Sequence, residues 1–274
     1  MKEQADIRGS GTLWVFMQKI FRLLKAHYHK PLLVIALLAL WQLGVMLFQV
    51  KEYIIPSPLS VLARIFVPEM AAKYHWLKHI YATFVEIFFG FAITAFLGVF
   101  LAILISWSRF LRGIITPLLT FFNSIPKIAM APLFILWFGY GIIPNILIAF
   151  LIAFFPVVIN TVTGLNAVEE ELLELVRYMN ARKWQVFLKI RLPNSLPYIF
   201  SGLKISTTLC VVGAIVGEFI ASTKGLGFLL KDSQAAIDTP PMFAGLLLIS
   251  VLGLGLFGII SLCSRALMPW QKAE

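Results

Sequence analysis

Six long apolar runs govern what this chain can fold into. They occupy roughly 32–50, 84–106, 114–138, 145–163, 196–221 and 242–263, and most of the charge lies between them. A hydrocarbon layer of ~30 Å is crossed by about 20 helical residues. Inside that layer a backbone satisfies its own polar groups only as a helix or a closed barrel. Runs of this length predict an all-α integral membrane protein with six transmembrane helices. Composition agrees, with 60% of the 274 residues hydrophobic and 13% charged, where a soluble domain carries about 25% charged residues.

Residues 1–31 then form a basic segment, 32–263 the six-helix domain and 264–274 a short tail. The lead-in carries Lys19, Arg22, Lys25 and Lys30 before the first run, as a signal peptide would. The run is long enough to span, however, and no small-residue cleavage site follows, so it is expected to remain as the first span. With the N-terminus inside, fifteen Lys and Arg fall on the inner segments and six on the outer ones. The positive-inside rule therefore places both termini in the cytoplasm. The same distribution explains the net charge of +10 without nucleic acid, because the basic residues alternate with spans and form no single patch. Cys210 and Cys263 sit within apolar runs with no metal-ligating neighbour and are expected to be small buried hydrophobes.

The segment 51–83 opens with Ile54-Ile55-Pro56-Ser57-Pro58, and Val61, Leu62, Ile65 and Phe66 then recur at helical spacing. An interfacial helix is expected there. Gly90, Thr94, Gly98 and Ala102 recur every four residues, as do Gly213, Gly217 and Ala221. Small residues at that interval let helices approach closely, either within one bundle, the simpler reading, or between copies.

The inner segment 166–193 is built differently from the other loops. Glu169, Glu170, Glu171 and Glu174 cluster at the start of a helical stretch, where the helix dipole favours acidic groups. Leu172, Leu175, Val176 and Met179 give that stretch an apolar face. Asn180 suits the left-handed position that ends a helix. A second short helix is expected to carry Trp184, Phe187 and Leu188 on one side and to stop at Pro193. Such an aromatic ridge serves either to dock in a partner's groove or to lie on the lipid surface. The residues alone leave both open.

This loop resembles the EAA loop of ABC importer permeases, with Glu174, Asn180, Leu192 and Pro193 at the motif's fixed places. Leu175-Val176 replaces the alanine pair and Asn180 replaces the usual glycine. Ser124-Ile125-Pro126-Lys127-Ile128-Ala129-Met130-Ala131-Pro132-Leu133 and Trp137-Phe138-Gly139 resemble a signature of the nitrate/sulfonate/taurine permeases, the binding-protein-dependent transport inner membrane component family. Val216-Gly217-Glu218-Phe219 and Gly225-Leu226-Gly227-Phe228 do the same. The run from Lys189 to Lys204 resembles the vitamin-precursor branch, whose members carry hydroxymethylpyrimidine or riboflavin.

The resemblance implies a type I ABC importer-like permease fold in the bacterial cell (inner) membrane. It implies a homodimer, two copies of a cytoplasmic ATPase subunit that receive the loop, and an extracytoplasmic substrate-binding protein. Glu174, Asn180, Trp184, Phe187, Leu192 and Pro193 would form the ATPase-coupling surface. The chain has no G-x-x-x-x-G-K-[ST] phosphate loop, so no cofactor is expected on it and ATP with Mg²⁺ belongs to the partner. Its one G-x-G-x-x-G, at Gly253, Gly255 and Gly258, lies in an apolar span and reads as helix packing.

Charges at membrane depth face a partner or a water-filled path. Lys127, after the expected helix breaker Pro126, and Glu218, on the small-residue stretch, are candidates for lining or gating a translocation path. A buried ion pair, or Glu218 satisfied by backbone groups, is the structural alternative. Glu86 and Lys204 stand near span ends and are expected to snorkel. Two rival functions are a membrane enzyme, with His75 and His79 at i, i+4 as the start of a metal site, and a secondary transporter. The histidine pair lacks a third ligand, and a secondary transporter shows internal repeats that this sequence does not.

Overall fold

The computed structural model describes residues 32–270, and the basic segment 1–31 lies outside them. The described residues form helices and turns, with no strand among them. Helix α1 is an apolar stretch over Leu32–Leu47. Two short helices follow, α2 (Pro58–Phe66) and α3 (Pro68–Tyr74), then the long α4 (Trp76–Trp107). The Ser57 hydroxyl caps α2 by accepting from the Ser60 N–H at 3.2 Å, the kind of start signal that Ser before Pro supplies. The helix expected near 58–66 is therefore present, with Pro58 and Val61 buried.

Helices α5 (Arg109–Ser124) and α6 (Ala131–Phe138) are joined through a 3₁₀ turn at Lys127–Met130. The axis bends by 83° at this break. Pro126 accounts for it, since a proline holds the residue before it extended and Ile125 has φ −71°, ψ 132°. The run 114–138 is thus two helices at a sharp bend, not one straight helix. Next come α7 (Ile142–Asn166), α8 (Glu170–Tyr178), α9 (Lys183–Val186), α10 (Leu192–Ala221), α11 (Leu226–Ala235) and α12 (Thr239–Leu267). Among the described residues four helices are long and apolar enough to cross a membrane, five if the bent pair α5–α6 counts as one span, and α1 is shorter.

Helix α7 is the centre, packed most extensively against α10 and α4. The small-residue stripes explain how closely they meet. A Cβ on Gly213 would lie 2.5 Å from the Ala149 Cα, one on Gly217 2.9 Å from the Asn145 Cα, and one on Gly90 2.8 Å from the Ala149 Cβ. Both stripes face α7, so their glycines serve packing inside one bundle. The core they create holds Ile87, Phe91, Ala149, Ala153, Val157 and Ala214.

Helix α12 behaves otherwise. Gly255 and Gly258 face open space and only Gly253 meets a neighbour, Val211 at 3.3 Å. The expected packing role of that glycine trio therefore holds for Gly253 alone within this chain. Cys210 is buried, while Cys263 lies exposed on α12, because this helix turns much of its surface outward.

Side-chain contacts define two ends. One joins Arg112 to Asn166 and Trp107 to Phe187. The other joins Tyr74 to Asp238, Asn145 to Ser222 and Thr239 to the Tyr53 carbonyl. Among the described residues, the basic segments 109–112 and 177–191 lie at the first end, as alternating crossings require.

Candidate functional site

At the basic end, the loop between α7 and α10 folds as two short helices. Glu170 and Glu171 occupy the first turn of α8 and Arg177 the last, each matched to its end of the helix dipole. Helix α8 closes at Asn180, whose φ of 54° is left-handed. The Ala181 N–H reaches back to the Val176 carbonyl at 3.2 Å and Asn180 N–H to Arg177 at 2.9 Å, a glycine-type C-terminal cap made with asparagine. Gln185 Oε1 accepts the Arg182 N–H at 2.9 Å and starts α9.

Pro193 does not stop this helix. Residues 183–220 are one continuous helix, and a π-turn over Phe187–Arg191 sends the Leu192 N–H to the Phe187 carbonyl. The wider turn gives the proline ring the room that a regular α-turn would deny it. The loop therefore runs directly into the fifth apolar run.

The loop is bare. None of α8, α9 or the π-turn has a buried residue. Leu172, Leu175, Tyr178, Met179, Trp184 and Leu188 are all exposed, Tyr178 at 86%, and Glu174 and Asn180 are exposed with them. Phe187 differs from the ridge expected of it. It is part-buried and packs edge-on against Trp107 of α4, centroids 5.3 Å apart. Leu192 and Pro193 are also part-buried.

At the opposite end, Glu218 is fully buried. Its Oε1 accepts the Thr83 hydroxyl at 2.5 Å and its Oε2 accepts the Gly227 N–H. The Thr83 oxygen in turn accepts the Leu226 N–H at 2.8 Å. His79 Nδ1 lies 3.0 Å from the Gly225 nitrogen and 2.8 Å from its carbonyl oxygen. Side chains from α4 and α10 thus satisfy the first amides of α11, which have no partner inside that helix. Gly225 and Gly227 are required here, because a Cβ on either would strike the Glu218 side chain, and Gly225 has φ 116°.

Glu86 does not snorkel. It is fully buried, with Oε1 accepting from Asn145 Nδ2 at 2.8 Å and Oε2 without a partner. Asn145 also donates to Ser222 at 2.9 Å. His79, Thr83 and Glu86 recur at i, i+4 and i+7, so a polar stripe on an apolar helix was the signal that could have found this cluster. His75 leaves that face: it is the left-handed residue before α4, φ 47°, and among the described residues no group of three ligands could hold a metal.

Lys127 is not brought to Glu218. Its Nζ donates to the Asn123 carbonyl at 2.8 Å and to Asn123 Oδ1 at 3.0 Å, and sits 4.7 Å over the Phe155 ring. Asn123 and Phe155 both line a cleft of about 220 Å³ between α5 and α7, with Thr116, Thr120, Ile159 and Thr163. The cleft borders the break at Pro126, where the cation is held.

A family model described as "binding-protein-dependent transport system inner membrane component" matches residues 94–268. The chain is 33% identical to the formylaminopyrimidine transport permease protein ThiX of Halalkalibacterium halodurans, over 87% of this chain and 94% of that one. It is 34% identical to the riboflavin transport system permease protein RibX of Chloroflexus aurantiacus, over 89% and 90%. The taurine transport system permease protein TauC of Escherichia coli is 27% identical over 86% of each chain. A solved structure of the MetNI methionine ABC transporter in an inward-facing conformation shares the fold, with TM-score 0.56 and 22% identity over 70% of this chain and 93% of that one. This chain therefore belongs to the binding-protein-dependent transport system inner membrane component family and is a multi-pass permease subunit of an ABC transporter.

Proposed function

We propose that this permease forms the path for a small solute and is driven by ATP hydrolysed on two separate cytoplasmic ATPase subunits that grip 166–193. The observation behind this is the bare apolar face of α8 and α9, with Leu175, Met179 and Trp184 half-exposed or more at the basic end of the bundle. A short amphipathic helix pair with nothing packed on it suits a groove in a partner. The chain itself binds no nucleotide in this reading, and ATP with Mg²⁺ stays on the partner.

The remaining assembly follows the same reading. Leu32–Leu47 supplies the sixth crossing, both termini are cytoplasmic, and a second copy of this chain covers the outward faces. An extracytoplasmic binding protein delivers solute at the end where α11 sits. Lys127, beside the cleft and the break, lines the path. Glu218 acts at its outer end by holding α11 in place. The cargo belongs to the vitamin-precursor class: relatives named for formylaminopyrimidine and riboflavin are 33% and 34% identical, those named for aliphatic sulfonates and taurine 30% and 27%.

Replacing Trp184 with alanine tests the docking surface. ATPase co-purification and uptake are both expected to fall while the permease still folds. Normal association and uptake in that variant would overturn the assignment.

A further inference from the structure

The bare loop is tied to the rest of the chain at both ends, and both ties reach the same hairpin. At its start, Arg112 Nη2 donates to Asn166 Oδ1 at 2.7 Å, and Asn166 is the last residue of α7. At its far side, the Phe187 ring meets Trp107 at 73° between planes. Trp107 ends α4, and Arg112 stands in the first turn of α5. The helices between these anchors have no buried residue, so a pull on them reaches the α4–α5 hairpin through these two contacts, beside its covalent path into α7 and α10.

Beyond the hairpin the packing within this chain is light. Helix α5 has no buried residue over 110–124 and meets the bundle through Ile115 and Leu119, against Ala102, Ile105 and Val158. It ends at the 83° break, where Lys127 is held over Phe155 beside the cleft. A helix lightly packed within its own chain, between a two-point anchor and a break, suits an element with two positions. Coupling between distant sites needs such an element.

We propose that Trp107 and Arg112 are positioning residues that carry movement of the 166–187 loop into α5 and so to the break at Ile125–Pro126. This rests on the reading that an ATPase grips the loop. The arginine suits the task because its rigid planar group holds one geometry against an amide oxygen. The aromatic pair resists shear because its edge-on arrangement is directional.

The test uses the full transporter reconstituted in vesicles with its ATPase and binding protein. It reads ATPase co-purification, ATP hydrolysis and uptake per ATP. Arg112→Ala and Trp107→Ala are expected to keep association and hydrolysis and to lower uptake per ATP about 10-fold, within the usual range of coupling between sites. Asn166→Ala is expected to reproduce Arg112→Ala. Asn166→Asp, which keeps an acceptor for Arg112, and Trp107→Phe, which keeps an aromatic edge, are expected to restore the ratio. Unchanged uptake per ATP in both alanine variants would overturn the proposal. So would loss of ATPase association in them, which would make these residues part of the docking surface. A wild-type permease that brings down no ATPase would instead remove the reading beneath it.

Discussion

Helices α8 and α11 are nearly equal in length, nine and ten residues, and lie at opposite ends of the bundle, yet they are held by opposite means. Helix α11 buries Leu226, Gly227, Leu229, Leu230 and Ser233, and its first amides are met by Thr83 and Glu218. Helix α8 buries nothing and receives no side-chain cap bond. It depends on its own glutamates, on Arg177 and on Asn180. A short helix is marginal in water without tertiary contacts. Helix α11 is completed by its own chain, whereas α8 receives few contacts from it.

The sharpest way to break the contrast is at the glycines of the α11 cap. Gly225→Ala places a methyl into the Glu218 carboxyl at a φ that disfavours any side chain. It is expected to cost about 3 kcal/mol from overpacking and backbone strain, read as a lowered Tm in detergent. A change at the C-cap of the other helix, Met179→Ser, is expected to stay within about 0.5 kcal/mol, since Met179 is 73% exposed. Equal effects would mean that the two helices are not supported differently.

A smaller effect is expected at Asn180. With φ 54°, Asn180→Ala is expected to cost about 1 kcal/mol, whereas Asn180→Gly is expected to leave stability unchanged or raise it slightly. Circular dichroism melts of the two variants measure this. An alanine as stable as glycine would contradict the left-handed cap.

An effect of similar size, but dependent on pH, concerns the support around α11 and α12. Tyr74 donates to Asp238 at 2.8 Å, and Asp238 also lies 3.9 Å from Arg64. Burial, with Asp238 beside it, pushes the Tyr74 phenol up from 10.0 to about 12. Its folded value exceeds its unfolded one, so its contribution is complete below pH 10 and is lost as pH rises toward 12. Tyr74→Phe is expected to cost about 1 kcal/mol at neutral pH. It should also lose less stability than wild type between pH 10 and 12, as followed by thermal melts across that range.

The periodic features could be read from the chain alone. Apolar runs located the long helices, glycine spacing identified the faces that meet α7, and Pro126 marked the break in α5–α6. Local signals also sufficed for the loop, where a glutamate cluster, an apolar face and Asn180 defined α8. The limits came from contacts between distant positions. Glu86 looked like a snorkelling end residue because nothing local showed that Asn145 would meet it. Phe187 looked like part of the docking ridge because Trp107 is 80 positions away in the chain. Pro193 looked like a stop because a π-turn leaves no mark in the residue pattern. Glu218 stood out as a charge in a span, but its use depended on Thr83 and on the amides after Gly225.

Site-specific cross-linking tests the contrast most directly. With Cys210 and Cys263 replaced by serine, single cysteines at Met179 and at Lys224 place one probe on each end of the bundle in the assembled transporter. The account predicts a cross-link to the ATPase subunit from position 179, lost when Trp184 is also changed to alanine, and none from position 224. A cross-link to the ATPase from 224, or none from 179 in a transporter active for uptake, would contradict it.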